Sequence, residues 1–597
     1  MALSTVTRPT SSSLRPQTDV TVRIGGSAGD GVQSAGEMLA RLLSRSGLHV
    51  STYNGNQSLI RGGVVWFHLH AAPWKVSSLG FGIDFLVPLT QSFFDEHVEM
   101  LNEGGNVLYD PSIVRPSDSK AKTFSVPMSE IALQHDKRPI MRNVAAVAAT
   151  AAALGVDRAV LAETIQRHFA RSEKMSDNIT VGNDAHSDFT RRFGVVRRLA
   201  FDYSAGMHLM NANQTLALGA VAAGCRYYAA YPMSPASGIL HWLASHAKEL
   251  GVTVFLAEDE ISAVTSTIGA SFAGARAMCG TSGGGFALMQ EAIGLASMTE
   301  TPLVVVDVMR AGPSTGLPTK TSQGDLNMVL GIAQDDFPRV ILAPRSSEEA
   351  FYTAGKAFNL ADEFQVPVII LSDFAISDGG YSTVGALNFE VPILRGKIAQ
   401  QFDRSATNGT WFKRFELTPD GVSSRSFPGS DGMMFVAKSD EHDEYGHDLS
   451  DVLSGLKKSV AMREKMHEKR MRKLDQIRRS AAPPEFFGPD GADLTIVTWG
   501  SSAGPVREGI RRLNESGGRV NSLEFSDIYP LNAPETERRL GSCNGLLNVE
   551  SNYTGQFSRY LRSETGVSIT KQFLKYNGEP IYPIEVVKAA EKALEES

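Results

Sequence analysis

Apolar residues recur along the chain in two rhythms, one alternating and one helical, and the switches between them outline the fold. Residues 19–26 (DVTVRIGG) alternate and end in glycines, which predicts a strand running into a tight turn. Residues 32–46 place Leu39, Leu42 and Leu43 at helical spacing and stop at Gly47, and HVSTY at 49–53 reads as the next strand. That strand–turn–helix–strand unit predicts a parallel sheet. An Ala-rich helix at 142–154 and a second near 158–170 close this first domain around residue 180. A second α/β rhythm runs from 208 to 390, with strands at TVFLAE (253–258), PLVVVDVM (302–309), RVILAP (339–344) and VPVIILSD (366–373). A third begins at LTIVTWG (494–500) and continues through GGRVNSLEF (517–525) and GLLNVE (545–550).

The expected fold class is therefore multidomain α/β, with three parallel-sheet domains at 19–180, 208–390 and 491–597. Between them, 181–207 is polar and glycine-containing (Gly182, Gly206) and reads as a linker. Residues 391–490 read as a connecting region whose last helix, Lys457 to Arg479, holds ten basic and three acidic residues. An exposed helix packing on a partner subunit, or docking an acidic partner electrostatically, is expected there. Residues 1–18 are Ser/Thr-rich, without an acid before Asp19, and are expected to be a disordered tail.

Length changes the picture by requiring several cores, since 597 residues exceed what one core supports. A net charge of −7 argues against a generally basic nucleic-acid binder. No apolar run is long enough to span a bilayer, so a cytoplasmic location without membrane partners is expected. Cys225, Cys279 and Cys543 are the three cysteines and lie far apart. A four-cysteine iron–sulfur or zinc site cannot be built from them, and no metal site is assigned to this chain.

Gly25 to Gly31 (GGSAGDG) joins a strand to a helix, where N–H groups can hold a phosphate or simply make a tight turn. It is not a dinucleotide fingerprint: a register starting at Gly29 puts Ser34 at the third glycine, and no ribose-binding acid follows. Gly29-Asp30-Gly31 begins like the diphosphate–metal motif of thiamine-dependent enzymes, but the Asn-Asn that ends such motifs occurs nowhere in the chain.

Tyr231-Pro232-Met233-Ser234-Pro235 is a strand-end turn fixed by two prolines. Asn213-Gln214-Thr215 precedes it; Ala257-Glu258-Asp259-Glu260-Ile261 and Thr281-Ser282-Gly283-Gly284-Gly285-Phe286 follow. Arg310 to Lys320 (RAGPSTGLPTK) is the longest such stretch, continuing to Gln323, Gly324 and Asp325. In order and spacing these resemble the 2-oxoacid:ferredoxin oxidoreductase family. Gly25 to Gly31 with Arg61-Gly62-Gly63-Val64 look like its gamma domain. Trp499-Gly500-Ser501 with Val549-Glu550-Ser551-Asn552 look like its transketolase-type C-terminal domain. Gamma preceding alpha in one chain resembles the fused large subunit of two-subunit members.

The resemblance implies a thiamine diphosphate pyrimidine-binding domain at 208–390 and catalytic roles for Glu260, Arg310 and Ser234. Glu260 would be the carboxylate that activates the pyrimidine; the plainer reading is that Glu258, Asp259 and Glu260 cap the next helix. Tyr231, Pro232, Ser282 and Gly283 would line the cofactor, and Ser234, Arg310, Lys320 and Thr321 the oxoacid. The implied reaction is CoA-dependent oxidative decarboxylation, reversible toward carbon fixation, with 2-oxoglutarate favoured and pyruvate second. A beta subunit would carry Mg²⁺, the diphosphate motif and a [4Fe-4S] cluster, forming an (alpha–beta)₂ heterotetramer that serves ferredoxin. The rivals are a cluster-free decarboxylase or transketolase and a catalytically silent scaffold or NAD-binding module. Asp440 to His447 (DEHDEYGH) has a metal-like composition, but packing is the expected role.

Overall fold

The computed structural model describes residues 19–56, 63–117, 121–136, 141–204, 207–400, 411–449 and 457–596. The expected tail and residues Arg61 and Gly62 lie outside them. Six strands open the chain: β1 Val20–Ser27, β2 His49–Gly55, β3 Val64–Ala72, β4 Ile83–Pro88, β5 Leu101–Tyr109 and β6 Lys122–Ser125. β7 is His208–Met210. The middle of the chain supplies β8 Cys225–Ala230, β9 Thr253–Leu256, β10 Arg276–Thr281, β11 Leu303–Met309, β12 Val340–Leu342, β13 Pro367–Asp373 and β14 Ser382–Val384. The last are β15 Glu485–Phe487, β16 Leu494–Trp499, β17 Val520–Phe525, β18 Asp527–Tyr529, β19 Leu546–Glu550 and β20 Lys571–Leu574.

They form three sheets, in the orders β6-β5-β4-β1-β3-β2-β14-β7, β18-β12-β13-β11-β10-β8-β9 and β15-β17-β16-β19-β20, the first mixed and the other two largely parallel. β11 (LVVVDVM) and β13 (PVIILSD) are buried at every position, as continuous runs in a sheet covered on both faces should be.

Three expectations are corrected. β1 and β2 are not neighbours, because β3 inserts between them antiparallel to both, and β1 instead runs parallel to β4. The first sheet is also completed from outside 19–180, as β14 pairs with β2 and with β7. Residues 181–193 are not linker but the second half of the Met175–Phe193 helix, whose Val181, Ala185 and Phe189 are buried one turn apart. Its polar outer face hid that stripe, and Gly182 is there because a Cβ would lie 2.4 Å from Ile165.

The central and C-terminal sheets share one core. Val329, Ile341 and Leu371 pack in the same cluster as Trp499, Phe525 and Phe557. β18, from the C-terminal part of the chain, pairs with β12 of the central sheet. No described helix is long and apolar enough to cross a membrane.

The basic helix Lys457–Ser480 departs most from expectation, because it packs into its own chain. Met466, Lys469, Lys473 and Ile477 are buried. Both ammonium groups meet the Glu300 carboxylate, Lys469 at 2.5 Å and Lys473 at 2.7 Å, while Arg414 donates to the Glu300 carbonyl at 2.7 Å. Burial pushes the Glu300 carboxyl up, but the two lysines and Arg414 outweigh it and hold it well below the carboxylate range. Burial lowers Lys473 to about 8. Removing one member of such a cluster strands the rest without compensation. Glu300→Ala is expected to lose about 3–5 kcal/mol, read as a lower melting temperature and proteolytic release of this helix. An unchanged melting temperature would contradict the assignment.

Candidate active site

β8, β9, β10 and β11 run parallel, so the residues that follow them emerge at one edge of the central sheet, where open α/β sheets bind ligands. Tyr231 follows β8, Glu260 lies just past β9, Ser282 follows β10 and Arg310 follows β11. The Tyr231–Pro235 turn is held from behind by the fully buried Asn213, whose amide donates to the Pro235 carbonyl at 2.9 Å. Its outer wall, Tyr231, Pro232 and Ser234, stays exposed. Arg310 Nη1 donates to the Ser234 carbonyl at 2.7 Å, so these two expected substrate residues are brought together.

Glu260 opens the Glu260–Phe272 helix, but Asp259 is the residue that caps it, accepting from the Ser262 N–H at 2.7 Å. Glu260 is turned inward, is 4% exposed, and its Oε1 has no hydrogen-bond partner. The side chain fits because residue 285 is glycine: a Cβ there would stand 2.1 Å from Thr281 Oγ1 and 2.6 Å from Glu260 Oε1. Ser282 caps the Gly283–Met298 helix through its backbone only, leaving a buried Oγ that is also partnerless. Gly283 is forced as well, since a Cβ would meet Asp325 Oδ2 at 2.4 Å. A buried carboxylate oxygen and hydroxyl without partners, at the start of a glycine-led helix, suit a planar heterocycle with ring nitrogens. These residues fit the aminopyrimidine of thiamine diphosphate.

Lys320 and Thr321 are placed differently. Lys320 pairs with Glu579, and Thr321 is buried, its N–H donating to the Gly578 carbonyl at 3.1 Å. The first glycine loop is a packed turn: Asp30 accepts from the Ser27 N–H at 3.2 Å and pairs with Arg142 at 3.3 Å, and Gly25 lies against the Phe93 ring. In the Asp440–His447 segment, Glu441 binds Arg463 at 2.7 Å and Arg470 at 2.7 Å, and His442 packs on Phe415. Among the described residues, no three His, Cys, Asp or Glu side chains gather as metal ligands. Burial pushes the Cys225 and Cys279 thiols up to about 12, which leaves them inert.

Sequence reasoning missed an acidic pair beneath the site. Asp307 interrupts the apolar run of β11, is fully buried, and neither of its oxygens has a partner. It stands in register with Thr281 on the neighbouring strand. Burial, and then the nearby Asp325, push its carboxyl well above the usual range. Burial raises Asp325 too, with Arg310 pulling it back. A lone acid inside LVVVDVM was the signal available.

A carboxyl raised on folding contributes stability at low pH that is lost as pH rises above its unfolded value. Asp307→Asn, which cannot ionise, should therefore melt increasingly above the parent protein as pH rises from about 5 to about 8, by up to roughly 1.4 kcal/mol per pH unit. A difference that stays constant over that interval would show Asp307 to be ionised throughout.

Comparison with known proteins agrees with the geometry. Residues 218–461 match the family profile described as pyruvate flavodoxin/ferredoxin oxidoreductase, thiamine diP-binding, and residues 21–187 match pyruvate ferredoxin/flavodoxin oxidoreductase. The alpha subunit of 2-oxoacid:ferredoxin oxidoreductase 2 from Aeropyrum pernix is 30% identical, over 97% of this chain and 98% of its own length. The 2-oxoglutarate synthase subunit KorA of Methanothermobacter thermautotrophicus is 33% identical over 64% of this chain and 97% of itself. Among solved structures, 2-oxoglutarate:ferredoxin oxidoreductase from Magnetococcus marinus, with 2-oxoglutarate, coenzyme A and succinyl-CoA bound, superposes with a TM-score of 0.89. It is 29% identical and covers 97% of this chain and all of that one. The chain thus belongs to the 2-oxoacid:ferredoxin oxidoreductase family, as an alpha-type subunit.

Proposed function

We propose that this chain is the alpha subunit of a cytoplasmic 2-oxoglutarate:ferredoxin oxidoreductase, active only with a beta subunit. The observation that carries the reading is the inward, partnerless Glu260 carboxylate at the same sheet edge as the Arg310–Ser234 pair. The overall reaction is 2-oxoglutarate plus CoA plus two oxidised ferredoxins giving succinyl-CoA, CO₂, two reduced ferredoxins and a proton, and it reverses when ferredoxin is reducing enough. The names of the KorA relative and of the ligands in the Magnetococcus marinus structure support 2-oxoglutarate over pyruvate.

Thiamine diphosphate, when bound, would supply a carbon nucleophile and an electron sink for decarboxylation. The chain's own residues do the rest. Glu260 holds a proton at Oε1 against the pyrimidine ring, and its buried seat keeps water from competing for that oxygen. Tyr231, Pro232, Ser282 and Gly283 wall the ring. Arg310 pairs with a substrate carboxylate through its planar fork, and Ser234 Oγ adds a hydrogen bond. Because Lys320 and Thr321 are already engaged within the chain, Arg310 is the group assigned to the oxoacid. We assign the diphosphate, Mg²⁺ and the [4Fe-4S] cluster to the beta subunit, in an (alpha–beta)₂ assembly. The apolar rim of the site suits such a partner: β9 is an edge strand, and Leu256 is 64% and Ile261 50% exposed.

The test is anaerobic viologen reduction by the chain co-purified with its neighbouring beta subunit. CoA-dependent activity is expected from the pair and from neither subunit alone. Glu260→Gln should lower kcat at least about 10²-fold. Gly285→Ala, which crowds the same carboxylate without removing it, should lower kcat about ten-fold or more. Arg310→Ala should raise the KM for the oxoacid about 10–100-fold. A preference for pyruvate would correct the substrate, and activity of the chain alone would overturn the reading.

A further inference from the structure

Arg310 opens a Gly/Pro-rich crossing from β11 to the Leu326–Leu330 helix, which holds no strand but an isolated bridge between Ala311 and Leu317. Such segments are ordinarily among the least constrained parts of a fold. This one is gripped from two sides. Thr319 Oγ1 donates to the Asn56 carbonyl of the first sheet at 2.9 Å. Within the central unit Thr321 Oγ1 donates to Asp373 at 3.4 Å and accepts from the Ala375 N–H at 3.3 Å; the anchors that follow come from the C-terminal unit.

Gln323 is the deepest anchor, fully buried between the two sheets. Its amide nitrogen donates to the Trp499 carbonyl at 2.9 Å, and its amide oxygen accepts from Ser502 Oγ at 2.8 Å and the Ser551 N–H at 2.9 Å. Its own N–H donates to the Ser551 carbonyl at 2.7 Å, and its carbonyl accepts from the Asn552 amide at 3.1 Å. Only a side chain carrying both a donor and an acceptor serves all these partners. Nearer Arg310, the Lys320 ammonium pairs with Glu579, and the Lys320 carbonyl accepts from the N–H of Ala311 at 3.0 Å. Ala311 is the residue after Arg310. A short path therefore runs from Glu579 through Lys320 and Ala311 to the guanidinium, and a Cβ added at Gly578 would lie 3.0 Å from the Lys320 Cβ.

We propose that Gln323 and Glu579 are positioning residues for oxoacid binding: through them the C-terminal unit holds the crossing in the shape that sets Arg310 against the Ser234 carbonyl. The inference rests on the assignment of Arg310 to the oxoacid. Neither residue touches the reacting atoms, so their loss should appear in substrate capture rather than in turnover. Gln323→Glu removes the donor that meets the Trp499 carbonyl. Glu579→Gln removes the charge that holds Lys320, at a partly exposed site where folding is not at stake (side-chain exposure 31%).

The test uses the reconstituted alpha–beta enzyme and compares KM for 2-oxoglutarate, KM for CoA and kcat across Gln323→Glu, Glu579→Gln, Lys320→Met, the Glu579/Lys320 double variant and Arg310→Ala. The expected result is a KM for the oxoacid raised about ten-fold by Gln323→Glu and about three-fold or more by Glu579→Gln, with kcat and the KM for CoA within about two-fold. The double variant should be no worse than either single change, since both break one link. If Arg310→Ala raises the oxoacid KM while Glu579→Gln leaves it unchanged, the inference falls and the functional reading stands. If Arg310→Ala itself leaves that KM unchanged, the reading falls and takes the inference with it. A fall in kcat with a rise in both KM values would mark a general structural defect and also overturn the proposal.

Discussion

A carboxylate taken out of water must find a partner for each oxygen or be held there by something stronger than the penalty, which is a few kcal/mol for an unmet polar group. Glu260 is in that position, with Oε1 partnerless beneath the surface of the site edge. The surroundings are arranged to keep it there. Asp259 takes over the capping duty that would otherwise draw Glu260 outward, and Gly285 leaves the volume its side chain occupies. The parallel strands β8 to β11 bring the Tyr231 turn, Ser282 and Arg310 to the same edge. The constraint is local, but satisfying it uses four separated stretches of the chain.

The same logic explains why the C-terminal sheet is fused to the central one rather than tethered to it. Their apolar residues form one cluster, and Gln323 and Asp373 carry polar contacts across the seam, the latter to Ser501. The loop that bears Arg310 lies on this seam, so its shape depends on both units. The Lys457–Ser480 helix is held to the chain by a buried carboxylate ringed by cations, where removing one partner costs far more than the intact cluster gains.

What could be read from the sequence follows from how local each signal is. The apolar runs at 302–309, 366–373 and 494–500 announce buried strands, Tyr231-Pro232 and Arg310 lie at strand ends, and Glu260 opens the helix after β9. The insertion of β3 between β1 and β2 and the recruitment of β7 and β14 are pairings across long sequence separations, which no local pattern encodes. The second half of the Met175–Phe193 helix was missed because its buried face has few large apolar residues, Asn178 and Gly182 sharing it with Val181, Ala185 and Phe189. The basic helix misled because composition does not say where a lysine points: Lys469 and Lys473 are buried and Lys465 is not. Lys320 and Thr321 illustrate the same gap, since only the fold shows Glu579 and Gly578 waiting for them.

The central claim is that the partnerless oxygen of Glu260 is the seat of a cofactor ring completed by a second subunit. The most direct measurement is a structure of the reconstituted alpha–beta complex with thiamine diphosphate. The account predicts a pyrimidine nitrogen within about 3 Å of Glu260 Oε1, with the diphosphate held by the beta subunit. A cofactor bound at Gly25–Gly31, or a ring that leaves Glu260 unpartnered, would contradict it.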